Sequence, residues 1–115
     1  MTQISCTRLF ELFTDALNHF GTFLLNMDAE DIGWHVFEEF DSDSITFLHE
    51  NTLNRLLDGG YISAEVYPLC QSLRKKFREL EGTDLWDVEA VRSAPEWYEL
   101  LVLSDRIKSM VLEGK

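Results

Sequence analysis

The chain predicts an all-α fold: one domain over residues 1–115, built as a bundle of five to six helices. Three observations carry that expectation. Apolar residues recur at three- and four-residue spacing along nearly the whole chain, the period of one helix face. No segment alternates apolar and polar residues as a half-buried strand would. Capping residues, paired glycines and only two prolines, Pro68 and Pro95, divide the chain at helix-sized intervals. A length of 115 residues with 45% apolar content supports a single buried core and is too apolar for a disordered segment.

The first helix is predicted from about Ser5 to Asn26, with Leu9, Leu12, Phe13, Ala16, Phe20, Phe23, Leu24 and Met27 on its inner face. Gly21 is a weak point there, costing about 1 kcal/mol relative to Ala, and a close helix crossing would explain it. The second helix covers about Ala29 to Phe40, capped by Asp28, with Ile32, Val36 and Phe40 inward and Phe37 beside them. The run DSDS at 41–44 should end it and cap a third helix to about Leu57, with Ile45, Leu48, Thr52, Leu53 and Leu56 inward. Gly59 and Gly60 end that helix. A fourth follows Ser63, with a late start or a kink expected at Pro68. It carries Val66, Leu69, Cys70, Leu73, Phe77 and Leu80 inward and ends at Gly82. Thr83 should open a short fifth helix, and Ser93–Glu96 reads as a capping box with Pro in the first turn of a sixth.

The net charge is −11, and it is unevenly placed. From Leu9 to Asn54 there are ten acids and no Lys or Arg; the remainder holds ten bases and eleven acids. Such a surface disfavours nucleic acid or an anionic membrane as a direct partner and favours a basic one. No apolar run approaches the roughly 18 residues of a membrane span, and the start MTQISCTRLF lacks the pattern of a signal peptide, so a cytoplasmic location is expected. Cys6 and Cys70 form no C-x-x-C pair and read as reduced thiols.

A catalytic constellation is missing. There is no G-x-S-x-G, no Cys with a His nearby in sequence, and no phosphate-binding glycine motif around Gly59 and Gly60. DSDSITFLHENT imitates a calcium loop at Asp41 and Asp43 but places Ile45, Thr46 and Thr52 where two ligands and a Gly belong. Asp15 with His19, and Asp31 with His35, lie four apart and would form carboxylate–imidazole pairs if two helices faced each other. In a chain with 21 acids such spacings arise by coincidence, so neither metal nor cofactor is expected. RKKFR at 74–78 reads as a solvated basic face, with phosphate or nucleic-acid binding as the alternative. The chain is therefore expected not to be an enzyme.

The stretch from Asn26 to Ser44 is the candidate site. It combines seven carboxylates with Ile32, Trp34, Val36, Phe37 and Phe40. An amphipathic helix with an acidic outer face would explain the composition. A binding surface would too: Trp34 lies about half a turn from the centre of the inner stripe, where the core need not bury it, and an aromatic anchor within a charged rim is how interfaces are built. The predicted partner-binding residues are Asp28, Glu30, Asp31, Trp34, Glu38, Glu39, Asp41, Asp43 and Glu50. In size, helix content and charge asymmetry the chain resembles bacterial immunity proteins, which neutralise nuclease toxins in colicin and contact-dependent growth inhibition systems. That resemblance implies a cognate protein toxin with a basic surface as partner, the acidic segment 28–50 as the toxin-binding face, and a monomer or weak dimer. The Asp-Ile-Tyr-Tyr stretch of colicin DNase immunity proteins has no counterpart here, which points towards the more varied contact-dependent inhibition set. Two other readings remain: a nucleic-acid mimic that inhibits a DNA-binding protein, and a carboxylate–histidine metal-binding protein.

Overall fold

A computed structural model describes residues 4–113; 78% of these residues are helical and no strand occurs among them, so the fold is all-α. Six helices follow one another among the described residues. Helix α1 is Cys6–Asn18, and a 3-10 turn at Thr22–Asn26 leads out of it. Helix α2 covers residues 29–47, as an α-helical start at Ala29–Gly33, a π-helical middle at Trp34–Phe40 and an α-helical end at Asp41–Phe47. Then come α3 (Glu50–Asp58), α4 (Val66–Leu80), α5 (Val88–Ser93) and α6 (Pro95–Glu113). None of the described helices is long and apolar enough to cross a membrane.

One core takes residues from all six. Phe20 stacks on Phe40 with ring centroids 4.3 Å apart, and Phe77 meets both rings edge-on. Trp97 is fully buried against Phe20, Phe37, Phe77 and Trp86, and its indole N–H donates to the Leu85 carbonyl at 2.6 Å. Burying a Trp in this way removes a large apolar area while leaving no orphaned donor. Cys70 is in the same core, where burial pushes its thiol up to about 12.

Helix α2 departs from the expected pattern. Asp28 caps it as predicted, accepting from the Asp31 N–H at 2.9 Å. The helix does not stop at DSDS. It passes through, and the Asp41 N–H reaches back five residues to the Val36 carbonyl. The buried residues are Ile32, Val36, Phe40, Ser44 and Leu48, a strict interval of four. On an α-helix of 3.6 residues per turn, such a repeat walks around the axis by about 40° per step. The wider π turns absorb that walk and keep the stripe on one side. Ser44 is therefore core, its hydroxyl donating to the Asp41 carbonyl at 3.0 Å, while Ile45, expected inside, is 52% exposed. The break falls instead at Leu48 and His49, where the His49 ring accepts from the Asn51 N–H at 3.1 Å and caps α3.

The first helix also ends early. Ser5 caps it, but it stops at Asn18, because side chains of α6 capture the chain beyond. The Ser104 hydroxyl and the Lys108 ammonium donate to the Phe20 carbonyl at 2.7 and 2.9 Å. Asp105 accepts from the Thr22 backbone N–H at 3.3 Å and from its hydroxyl. Gly21 sits inside this clamp, and a Cβ there would collide with the Asp105 carboxylate and the Lys108 ammonium. The close approach expected at Gly21 is real, but it is made by extended chain, not by helix.

The remaining elements follow local chemistry. At the end of α3, Gly60 takes φ 79°, and the Tyr61 and Gly60 amides donate to the Leu56 and Leu57 carbonyls, a Schellman closure. Helix α4 starts late, at Val66, with the Ser63 hydroxyl accepting from its N–H, so Pro68 falls in the first turn, where no intrahelical donor is needed. The predicted fifth start and sixth cap are both displaced. Thr83 stays in a turn, and Asp87 caps α5 by accepting from the Ala90 N–H at 2.8 Å. Ser93 donates back to the Glu89 carbonyl, so it closes α5 and does not cap α6.

Candidate functional site

The four-residue interval that straightens the buried stripe acts equally on the residues one position earlier. These are Asp31, His35, Glu39 and Asp43, which form a polar row beside the core edge of α2. Helix α1 packs against this helix and brings Asp15 and His19, four residues apart, to the row. The His19 and His35 rings meet Nδ1 to Nδ1 at 3.0 Å. His19 Nε2 lies 4.0 Å from a Glu39 oxygen, and one ligand-type atom from each of His19, Glu39 and Asp43 falls within 4.8 Å of the others. All three residues are half-buried.

The charges of this cluster are not balanced within it. Among the described residues, no Lys or Arg forms an ion pair with Asp15, Glu39 or Asp43. Burial raises the Asp43 carboxyl above the ordinary value; Glu39 and Asp15 push it the same way, and His19 opposes them. Burial lowers the His35 imidazole, and the neighbouring His19 lowers it further against the pull of Asp31 and Glu39. An Nδ1–Nδ1 hydrogen bond requires one ring to donate. When His19 donates, its Nε2 presents a bare lone pair towards Glu39, and three electron-rich atoms converge on one point.

Trp34 packs on the two histidines of this group. Its ring meets His19 and His35 edge-on at 5.5 and 5.0 Å, yet the residue is 45% exposed. Phe23 supports His35 from another side at 5.8 Å.

The nine predicted site residues separate into groups. Trp34, Glu39 and Asp43 join the cluster, with Asp31 acting on His35. Glu30 and Glu38 are exposed. Asp28 is committed to its cap. Asp41 stands apart from the cluster: Arg78 pairs with it, donating to its carboxylate and, at 3.3 Å, to its carbonyl. Glu50 lies away from the cluster, lining a hollow with Arg74, Lys75 and Arg78. Arg78 also pairs with Glu81 at 3.6 Å and stacks on Phe77, which ties this part of RKKFR into the fold. His19, His35 and Asp15 were visible in sequence only as two Asp-x-x-x-His spacings; their meeting depends on how α1 crosses α2.

The chain matches no family model, no curated protein sequence and no solved structure.

Proposed function

We propose that this protein is an inhibitor of the immunity-protein kind, which binds a basic protein partner through the acidic face of α2. The partner that fits best is a toxin domain that attacks nucleic acid, whose own substrate cleft must be basic. The observation that carries this reading is Trp34: a large aromatic ring held half out of the surface on two histidines, in the part of the chain that contains no Lys or Arg. A rigid aromatic centre surrounded by charge is the anatomy of a binding hot spot. The acids supply long-range attraction, which accelerates encounter, and the ring supplies short-range contact, which slows escape.

Co-expression with the product of the adjacent gene, followed by binding kinetics, tests the proposal. Reversal of Glu30, Asp31 and Glu38 to Lys should slow association by about tenfold or more, an effect that high salt reproduces on the wild type. Trp34→Ala should speed dissociation and cost on the order of 2 kcal/mol. If the folded triple variant protects cells from the toxin as well as wild type, the acidic face is not the interface.

A further inference from the structure

The two histidines that carry Trp34 stand beside two carboxylates, Glu39 and Asp43, in a group whose chemistry can be considered apart from any protein partner. We propose that His19, Glu39 and Asp43 form a binding site for one divalent transition-metal cation, zinc(II) being the ion its donor set suits, with His35 orienting His19. One imidazole nitrogen and two carboxylate oxygens supply three protein ligands and leave a fourth position open to solvent. Magnesium and calcium take oxygen ligands, so the imidazole selects against them.

The geometry is close to what the ion requires. Zinc holds nitrogen and oxygen ligands at about 2.0–2.2 Å, which puts tetrahedral ligand atoms about 3.4 Å apart. The three donor atoms already lie within 4.8 Å of one another, and His19 Nε2 is 4.0 Å from Glu39. The remaining difference is about 1 Å, the scale of a side-chain rotation at half-buried Glu39 and Asp43. The orienting partner is in place as well. Metal-ligating histidines direct their second nitrogen to a hydrogen-bonding neighbour, which sets the tautomer and the ring angle. His19 Nδ1 is engaged by His35 Nδ1 at 3.0 Å, so Nε2 is the nitrogen left for the ion.

Two features of the fold support the assignment independently. The π-helical segment Trp34–Phe40 brings His35, Glu39 and Asp43 into one row, and π turns recur at functional sites. Glu39 and Asp43 are partly withdrawn from solvent beside Asp15 with no Lys or Arg paired to them among the described residues. A dication is the counter-charge this arrangement lacks.

The test uses untagged, chelator-stripped protein and zinc chloride alone, with calorimetry for stoichiometry and long-range proton–nitrogen NMR of the histidine side chains for location. One zinc per chain is expected, with a large shift at His19 Nε2, none at His49 and no response to magnesium. H19Q, E39Q and D43N should each weaken binding by tenfold or more, and His35→Ala by about 10–100-fold with the stoichiometry kept. H49Q should bind as wild type. The NMR arm needs no variant, so a variant that fails to fold leaves the proposal exposed to refutation. His19 signals unmoved at saturating zinc would overturn it, as would equal binding by a folded H19Q/E39Q/D43N triple variant.

Discussion

Two polar clusters flank the end of α1, and adjacent residues divide them: His19 belongs to one and Phe20 to the other. On the Phe20 side, α6 supplies Ser104, Asp105 and Lys108, and every charge meets its complement. Lys108 pairs with Asp105 at 3.4 Å and also donates to the Phe20 carbonyl, while Asp105 takes the Thr22 N–H and hydroxyl. On the His19 side, α2 supplies His35, Glu39 and Asp43, and carboxylates gather with no Lys or Arg paired to them among the described residues. Both clusters sit at similar depth, although the first joins segments more than 80 residues apart and the second joins His19 to a helix that begins about ten residues later. The difference lies in whether the charge is answered internally. A satisfied cluster gives stability to the fold. An unanswered one costs stability through self-repulsion and partial desolvation, so it is the one available to a ligand.

That contrast makes signed predictions. The largest is Asp105→Ala, which strips the Thr22 amide of its partner and leaves Lys108 beside Phe20 without its counter-ion. It should lower unfolding stability by about 2 kcal/mol in urea titrations, since an orphaned donor costs more than the hydrogen bond itself contributes. Ser104→Ala should cost about 1 kcal/mol, because Ser104 is fully buried but Lys108 still serves the Phe20 carbonyl.

Asp43→Asn should act in the opposite direction and by less. The native carboxyl lies above its ordinary 3.8, so the folded state holds that proton more tightly than the unfolded chain does. Its contribution is therefore fully present below the ordinary value and lost as pH rises through the native one. Asn removes that loss. The metal-free variant should be more stable than wild type at pH 7, by less than either loss above, and its stability should fall less than that of wild type as pH rises from about 4. Thermal melts across that range measure it. A loss of stability at pH 7 would mean that Asp43 has a structural partner in solution, and the contrast between the clusters would fail.

Much of the fold was legible from local rules. The stripes Ile32–Val36–Phe40 and Val66–Cys70–Leu73–Phe77 are buried as their spacing requires. The cap at Asp28, the start after Ser63 and the stop at Gly59 and Gly60 hold because each depends on a hydrogen bond or backbone angle within a few residues. The candidate site was legible only in part. Trp34 stands exposed as its helical position implied, and Asp31, Glu39 and Asp43 cluster near it, but Asp41 does not belong, because Arg78 arrives from α4, thirty-seven residues away.

What the amino-acid pattern determined by itself was the helical class, most of the apolar stripes that form the core, and the accumulation of acidic charge in one segment; apolar periodicity and composition are properties of the chain read in order. Tertiary structure decided where α1 stops, how α2 continues and which polar groups meet. The first helix ends at Asn18 because Ser104, Asp105 and Lys108 offer its continuation better hydrogen bonds than another turn would. Helix α2 runs through DSDS because a π-helical middle keeps the Ile32–Leu48 stripe on the core, which outweighs the capping preference of Asp and Ser. His19 meets His35 because those two outcomes together place the end of α1 against the polar row of α2, and no spacing within either helix encodes a contact between them.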